Sequence, residues 1–434
     1  MNKNIIVIAV IISLMSFVGY RFYDFQSFLE QAKKFRDLNN GGRAKVEPND
    51  SNFPDYLKKY YIDESVYKSA EKIFKIVSSK DDIYDTEANN QLILEAEPLF
   101  AKDIDNFKSI VPTIKKRMEE PKKSVAPSIK ESEKLPSPPS IKTVRGNVRY
   151  WYDISRLLEK REDYETSLYL SLAVFYIAKD YQTNYVNGSE IISRIVADAI
   201  SGVACDSILV WAGKPRPQCG AVSKEIAKDI LELVKSEYPV SVNIEYERFL
   251  FESMLDSFES KGYRVLGSIR KTSYYKKLLD LVYKKTIDSY DKPIYEIKKE
   301  MKSNHDERQK ILYDQEFSEL VWDFLFNSDR LKTTITFGLS CPNFEKFKIV
   351  SEKTKAKMEM AAIALAINSY YCENSKLPES MEELSKWFGQ ELPKNRLTNE
   401  PYELDFKGKH VLYNEFYDFI SKEKKEFYYN FSLE

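Results

Sequence analysis

Apolar side chains recur every three to four positions through most of this chain, a spacing that predicts amphipathic α-helices packed on one another. The stretch RYWYDISRLLEKREDYETSLYLSLAVFYIAKD, Arg149 to Asp180, reads as two helices meeting near Lys160 to Asp163. Leu168, Leu172, Phe175 and Tyr176 fall on the buried side of the second. Asn187, Gly188 and Ser189 open a further helix, whose apolar stripe runs through Ile191, Ile192, Ile195, Val196, Ala199, Val203 and Ile208. The loop KPRPQCG, Lys214 to Gly220, ends it, and Ser223 then caps a helix that Pro239 stops. Helices are also expected over Ile244 to Glu259, Tyr274 to Tyr290 and Gln315 to Phe326. Short connections between them imply an irregular antiparallel bundle or array.

Towards the C-terminus the pattern becomes more specific. In AAIALAINSYYCENSKLPESMEELSKWF, Ala361 to Phe388, the residues Ala361, Ala362, Leu365, Asn368, Ser369 and Cys372 continue a helical stripe from Met358, and their small size lets a neighbouring helix approach closely. Glu373 to Lys376 end that helix and Leu377-Pro378 turns the chain. Ser380 and Glu383 have the spacing of a capping box, and Met381, Leu384, Trp387 and Phe388 point a short second helix back to the core. From Tyr402 the period shortens, and YELDFKGKHVLYNEFYDF predicts two extended segments around a turn at Lys407 to Lys409, a small β-hairpin.

The N-terminal pattern is of another kind. The run from Asn4 to Tyr20 is uncharged and bracketed by Lys3 and Arg21, which reads as an uncleaved transmembrane anchor; a cleaved signal peptide and a buried soluble helix are the alternatives. Phe22, Phe25, Phe28, Leu29, Ala32, Phe35 and Leu38 continue it as an amphipathic helix. The expected fold class is mainly α, an irregular antiparallel helical bundle or array with a small C-terminal β-hairpin, preceded by one N-terminal transmembrane helix. Its expected layout is an anchor with its continuation over 1–41, a linker over 42–52, a first helical segment over 53–118, a flexible Pro/Ser/Lys-rich loop over 119–147, a main helical domain over 148–350, and a helix-loop-helix with the terminal hairpin over 351–434. A cytoplasmic N-terminus with the bulk of the chain outside is the favoured topology, against the pull of Arg21, Lys33, Lys34 and Arg36 after the span.

Composition narrows the function classes. The chain has 434 residues and 43% hydrophobic content, enough for a substantial core. Its 66 basic and 67 acidic residues nearly cancel, which gives no general field for nucleic acid, so no nucleic-acid partner is expected. The expected partners are membrane lipid, through the N-terminal helix, and another protein or a second copy. His305 and His410 are the only histidines. No phosphate-binding glycine loop, G-x-S-x-G, H-E-x-x-H or C-x-x-C occurs, so no catalytic residue, cofactor site or metal-ligand set is assigned. Glu245, Glu247, Glu252, Asp256 and Glu259, interleaved with Arg248, read as a solvated or ion-paired helix face. Cys205, Cys219, Cys341 and Cys372 permit up to two disulfides, and four free buried thiols are an equally ordinary outcome. Candidate contact residues are Lys214 and Arg216 in the proline-bounded loop, with Tyr413, Phe416, Tyr417, Phe427, Tyr428 and Tyr429 near the C-terminus.

Several of these features resemble known families. The two helices of Arg149 to Asp180 resemble one tetratricopeptide-type hairpin, although no recurrence at that family's period of about 34 residues follows. The C-terminal order resembles the post-helix region of type II secretion major pseudopilins: Tyr370 at the helix end, Leu377-Pro378 at the turn, Leu384 in the short helix, Leu392-Pro393 before the loop and Pro401-Tyr402 entering a strand. That family associates a loop aspartate with calcium; Asn395 stands at its place here, and Arg396 replaces the following proline. The region from about Phe53 to Phe419 is also similar to a group of bacterial envelope proteins with one N-terminal span and an extracytoplasmic helical body. The resemblance implies an inner-membrane, single-pass protein; the leading expectation for its role, with no catalytic motif in the chain, is a non-enzymatic scaffold or docking protein of a cell-envelope assembly. An extracytoplasmic binding protein for a small solute or envelope polymer, and a membrane-tethered hydrolase with an unfamiliar carboxylate site, are the alternatives.

Overall fold

The computed structural model describes residues 108–122, 161–183, 191–260, 272–312, 327–340, 343–404, 412–418 and 423–429, with scattered positions in 18–31, 144–159 and 316–323. Apart from those positions, the predicted anchor, the linker, most of the first helical segment and of the Pro/Ser/Lys-rich loop, and the helix at Gln315 to Phe326 lie outside the described residues. So do the turn at Lys407 to Lys409, His410 and Cys341.

The described residues are mainly α-helical. In chain order they form α1 (Val111–Glu119), α2 (Tyr164–Thr183), α3 (Ile191–Ala212), a 3₁₀ turn (Pro217–Cys219), α4 (Gly220–Lys235) and α5 (Val240–Ser260). Then come α6 (Ser273–Leu279), a π-helical turn (Asp280–Lys284), α7 (Lys285–Tyr290), α8 (Ile294–Leu312), α9 (Ser328–Ser340), α10 (Phe344–Asn374) and α11 (Met381–Phe388). Past Tyr402 the described backbone is extended over β1 (Glu403–Leu404), β2 (Leu412–Asp418) and β3 (Glu423–Tyr429), antiparallel in the order β1-β2-β3, with Leu412 opposite Tyr429.

These elements sort into two compact units that interleave in sequence: one holds 1–47, 240–292 and 296–346, the other 48–239, 293–295 and 347–434. In the first, rings pack at tilted angles where α5, α6 and α9 meet: Phe251 lies 5.0 Å from Phe337, and Tyr275 lies 5.6 Å from the same ring. Thr272 caps α6 by accepting the Tyr275 N–H at 3.1 Å. Arg248 and Glu252 pair along α5 at 3.5 Å, as the interleaved charges predict.

In the second unit, α2 and α3 lie side by side and α10 runs through the core. Leu168, Leu172, Phe175 and Tyr176 are buried as expected, but α2 is buried on its other faces too. Small polar residues allow that closeness. The hydroxyls of Ser155, Ser167, Ser171 and Ser207 form a cluster, with Ser171 and Ser207 at 2.8 Å and Ser155 and Ser167 at 2.9 Å. From Met358 to Tyr370 every residue of α10 is buried, so the small-residue stripe belongs to a central helix rather than to an amphipathic one.

The expected stripe on α3 needs correction. Ile192 and Ile195 are 38% and 41% exposed, whereas Arg194, Ala197, Asp198, Ser201, Ala204, Cys205, Ile208 and Trp211 face inward. Ile191, Val196 and Ile208 are buried as expected and Ala199 is exposed; the inward face is shifted to take in a charged pair, Arg194 and Asp198, that finds partners inside. By length and composition α3 could cross a membrane, but it lies mid-chain and 61% of its apolar window is buried in the protein. At its C-terminal end the Ala212 carbonyl accepts from Asn368 Nδ2 at 3.0 Å and from the Tyr429 hydroxyl at 2.7 Å.

The second helix of the C-terminal corner matches its sequence signals. Ser380 Oγ accepts the Glu383 N–H at 3.2 Å, and the Glu383 carboxylate accepts the Glu379 N–H at 2.6 Å and the Tyr370 hydroxyl. Leu384 and Phe388 are buried. Gly389 ends α11 at φ 81° and donates to Ser385 O at 3.0 Å, a left-handed cap that a side chain would strain. Gly389→Ala is therefore expected to cost about 1 kcal/mol, read as a lower urea-unfolding midpoint. A midpoint equal to that of the unaltered chain would show that the cap carries no strain-sensitive role.

Candidate functional site

Charged side chains with no exposure have to be neutralised by neighbours, because removing an ion from water costs several kcal/mol even after relaxation. The second unit concentrates such groups. Helix α3 supplies Arg194 and Asp198 one turn apart, Nε to Oδ1 at 3.4 Å, both buried. Just past α4 the chain supplies Glu237, which pairs with Arg194 and lies 3.2 Å from the Lys355 ammonium of α10. Arg194 also donates to Ser351 Oγ at 3.1 Å and lies 5.5 Å from the Tyr238 ring.

The same face of α10 continues the arrangement. Lys348 and Glu352 pair at 2.9 Å, one turn apart. Arg396, on the loop after α11, reaches Glu352 at 2.9 Å and Glu359 at 2.8 Å with separate nitrogens. The Tyr402 hydroxyl donates toward Glu359 at 3.2 Å. Arg194, Lys348, Lys355 and Arg396 thus balance Asp198, Glu237, Glu352 and Glu359. Burial opposes the charge on Glu237, yet Arg194 and then Lys355 overcome it and hold its carboxyl below the ordinary value. Burial likewise works against Glu352, but Lys355, Lys348 and Arg396 bring it down to about 2. For Glu359 burial prevails over Arg396 and its carboxyl is raised.

A second charged cluster involves α1, α2 and α4. Arg117 grips Asp180 with two nitrogens, at 2.8 and 3.0 Å. Lys122 pairs with Asp229 at 2.8 Å, and the Tyr176 hydroxyl donates to the other Asp229 oxygen at 2.6 Å. Burial raises the Tyr176 phenol, and the Asp229 charge raises it further. Lys179 donates to Ser236 Oγ at 2.8 Å, and burial lowers its ammonium.

Between the clusters is a cavity lined by Lys179, Gln182, Ser236, Glu237 and Tyr238, with room of about 20 Å³, enough for one water molecule. A larger open groove of about 500 Å³ borders α11 and the following loop. It is edged by Glu382, Lys386, Glu391 and Lys394, with Leu392, Pro393 and Tyr402 among its lining. The buried ions face one another, so the arrangement supports structural locking more directly than acid-base chemistry.

The sequence-selected residues fall in several places. Lys214 is exposed, and its carbonyl accepts from Asn368 Nδ2 at 2.6 Å; the Arg216 guanidinium covers the Tyr164 ring at 4.2 Å. Cys205, Cys219 and Cys372 carry free thiols. Burial raises the Cys219 thiol to about 11 and raises that of Cys372 as well. Tyr429, expected in a contact region, is 2% exposed. The side chains of Tyr413, Phe416, Tyr417, Phe427 and Tyr428 lie outside the described residues. Of the carboxylates on α5, Glu247 is buried and Glu245 exposed. Among the described residues no group of three or more metal-ligating side chains comes together. His305 stands 3.6 Å from Glu345, which also pairs with Arg308.

The ion network itself was missed from sequence. Its available signal is the spacing of Lys348, Glu352, Lys355 and Glu359, which puts opposite charges on one side of a helix at four, three and four residues. Comparison with protein-family profiles, curated proteins and solved structures finds no match to this chain.

The pH dependence follows from Glu352. Its folded carboxyl titrates at about 2, below the ordinary 4.5, so its stabilising contribution is complete above the ordinary value and is lost as pH falls towards 2. Glu352→Gln leaves Lys348 and Arg396 short of a counter-charge and is expected to cost about 3 kcal/mol at pH 7. Urea unfolding as a function of pH should show the gap to the unaltered chain narrowing below 4.5. A gap that stays constant down to pH 2 would mean that Glu352 is not held ionised by its neighbours.

Proposed function

We propose that this chain is a non-enzymatic scaffold or docking protein of a bacterial cell-envelope assembly. In this reading the N-terminal segment is a single-pass inner-membrane anchor, the helical body lies outside the cytoplasm, and the chain closes with a pseudopilin-like corner and a terminal β-hairpin. The observation that carries the proposal is Arg396, which bridges Glu352 and Glu359 and so fastens the loop after α11 to the central helix α10. Charge used in this way fixes the shape of a surface corner, and a pre-shaped surface lowers the entropic cost of meeting a partner. Membrane lipid is the first partner, through the anchor; the second is another protein or a second copy of the chain.

The groove beside α11 favours a second reading, an extracytoplasmic binding protein for a small solute or an envelope polymer. Its volume of about 500 Å³ suits a small ligand, and its rim carries both signs of charge. A hydrolase reading requires inward-facing acids from at least two helices. Asp198 on α3 with Glu352 and Glu359 on α10 meet that count, but each lies against a cation.

Topology and role have separate tests. Protease added to intact spheroplasts is expected to degrade the region after Gly42, and cleavage only after lysis would reverse the orientation. For the role, purification in mild detergent with chemical cross-linking should yield a reproducible complex. The double reversal Lys386→Glu with Lys394→Glu should reduce its yield several-fold. Isolation of a monomer without partners would reject the scaffold.

A further inference from the structure

Cys219 closes the 3₁₀ turn and immediately precedes Gly220, the first residue of α4. Cys372 lies in the last turn of α10. The two segments lie close: a Cβ built on Gly220 would fall 3.3 Å from the Cys372 Cβ, tighter than an ordinary van der Waals contact. Helix α10 also grips the loop at both ends: Ser369 Oγ donates to Gly220 O at 2.6 Å, and Asn368 Nδ2 donates to Lys214 O at 2.6 Å. The Cys372 thiol donates to Asn368 Oδ1 at 3.6 Å, the same asparagine whose Nδ2 holds the loop at Lys214. Both thiols are free, Cys219 buried and Cys372 half-buried.

We propose that Cys219 and Cys372 form a redox pair that closes to a disulfide when the chain meets a disulfide oxidant, stapling the KPRPQCG loop to α10. A disulfide needs Cβ atoms about 3.8 Å apart, and Cys219 belongs to the turn whose next residue already abuts Cys372. The more accessible Cys372 reacts first. Its thiolate attacks one sulfur of the oxidant, the oxidant's S–S bond breaks, and one thiolate leaves. The Cys219 thiolate then attacks the Cys372 sulfur of the mixed disulfide, forming the intramolecular bond and expelling the second thiolate. Two electrons pass from the two cysteines to the oxidant, and the two protons they lose end on the released thiols. Cys205 is fully buried in α3 and takes no part. In the cell the pair rests on the extracytoplasmic reading above, because that side supplies disulfide oxidants; the chemistry itself does not depend on location.

The test is to treat the purified full chain in mild detergent with oxidised glutathione at mildly alkaline pH, alkylate the remaining thiols and map peptides without reduction. A linked Cys219–Cys372 peptide should be the main product. It should persist in Cys205→Ser and disappear in both Cys219→Ser and Cys372→Ser, the latter altering only a half-buried position. A stable glutathione adduct on Cys372 with Cys219 alkylated, or linkage to Cys205 or Cys341, would overturn the proposal. A link formed in a chain that protease accessibility places in the cytoplasm would refute the topology and leave the pair standing.

Discussion

Arg194 sits with no solvent exposure in α3, and its charge is tolerated only because Asp198, Glu237 and Ser351 surround it. Those partners come from the same helix, from the segment after α4 and from α10, so neutralisation is complete only when all three are in register. Lys355 shares Glu237, and further along α10 the same logic ties Lys348 and Arg396 to Glu352. Breaking a buried pair leaves an uncompensated ion, which is far more costly than the net worth of the pair when intact. The network therefore specifies which helix faces meet more than it adds to stability, and the loop carrying Arg396 inherits its position from that specification.

What could be read from sequence depended on whether the signal was local. The corner from Ser380 to Gly389 is set by its own residues: a cap at one end, a left-handed glycine at the other and an apolar face of Leu384 and Phe388. The helical nature of Tyr164–Thr183 and the burial of Leu168, Leu172, Phe175 and Tyr176 followed from period alone. On α3 the same rule was right for Ile191, Val196 and Ile208, which are buried, and wrong for Ile192 and Ile195. It sent Ile192 and Ile195 inward and ignored Arg194 and Asp198, since charge is ordinarily a mark of the surface. The partners that reverse this preference lie at Glu237, Ser351 and Lys355, far along the chain, and periodicity carries no information about them.

Helix α3 shows a related ambiguity. Its length and hydropathy suit a membrane span, and the same properties suit a helix enclosed by protein. In this unit its inner face packs on protein: Ser201 and Ser207 are buried, Ser207 joins the serine cluster, and Trp211 donates its indole N–H to Tyr164 O at 3.1 Å. These are contacts of helix with helix, made through small hydroxyls that allow close approach.

The Ala212 carbonyl, held by Asn368 and by Tyr429, also bears on the order of events during synthesis. Helix α3 leaves the ribosome well before either donor exists, and the Tyr429 hydroxyl belongs to a residue 217 positions later in the chain. Until then water must satisfy that carbonyl. The end of α3 is consequently a joint left open through much of translation, and a nascent chain halted before Tyr429 would carry α3 without its final closure.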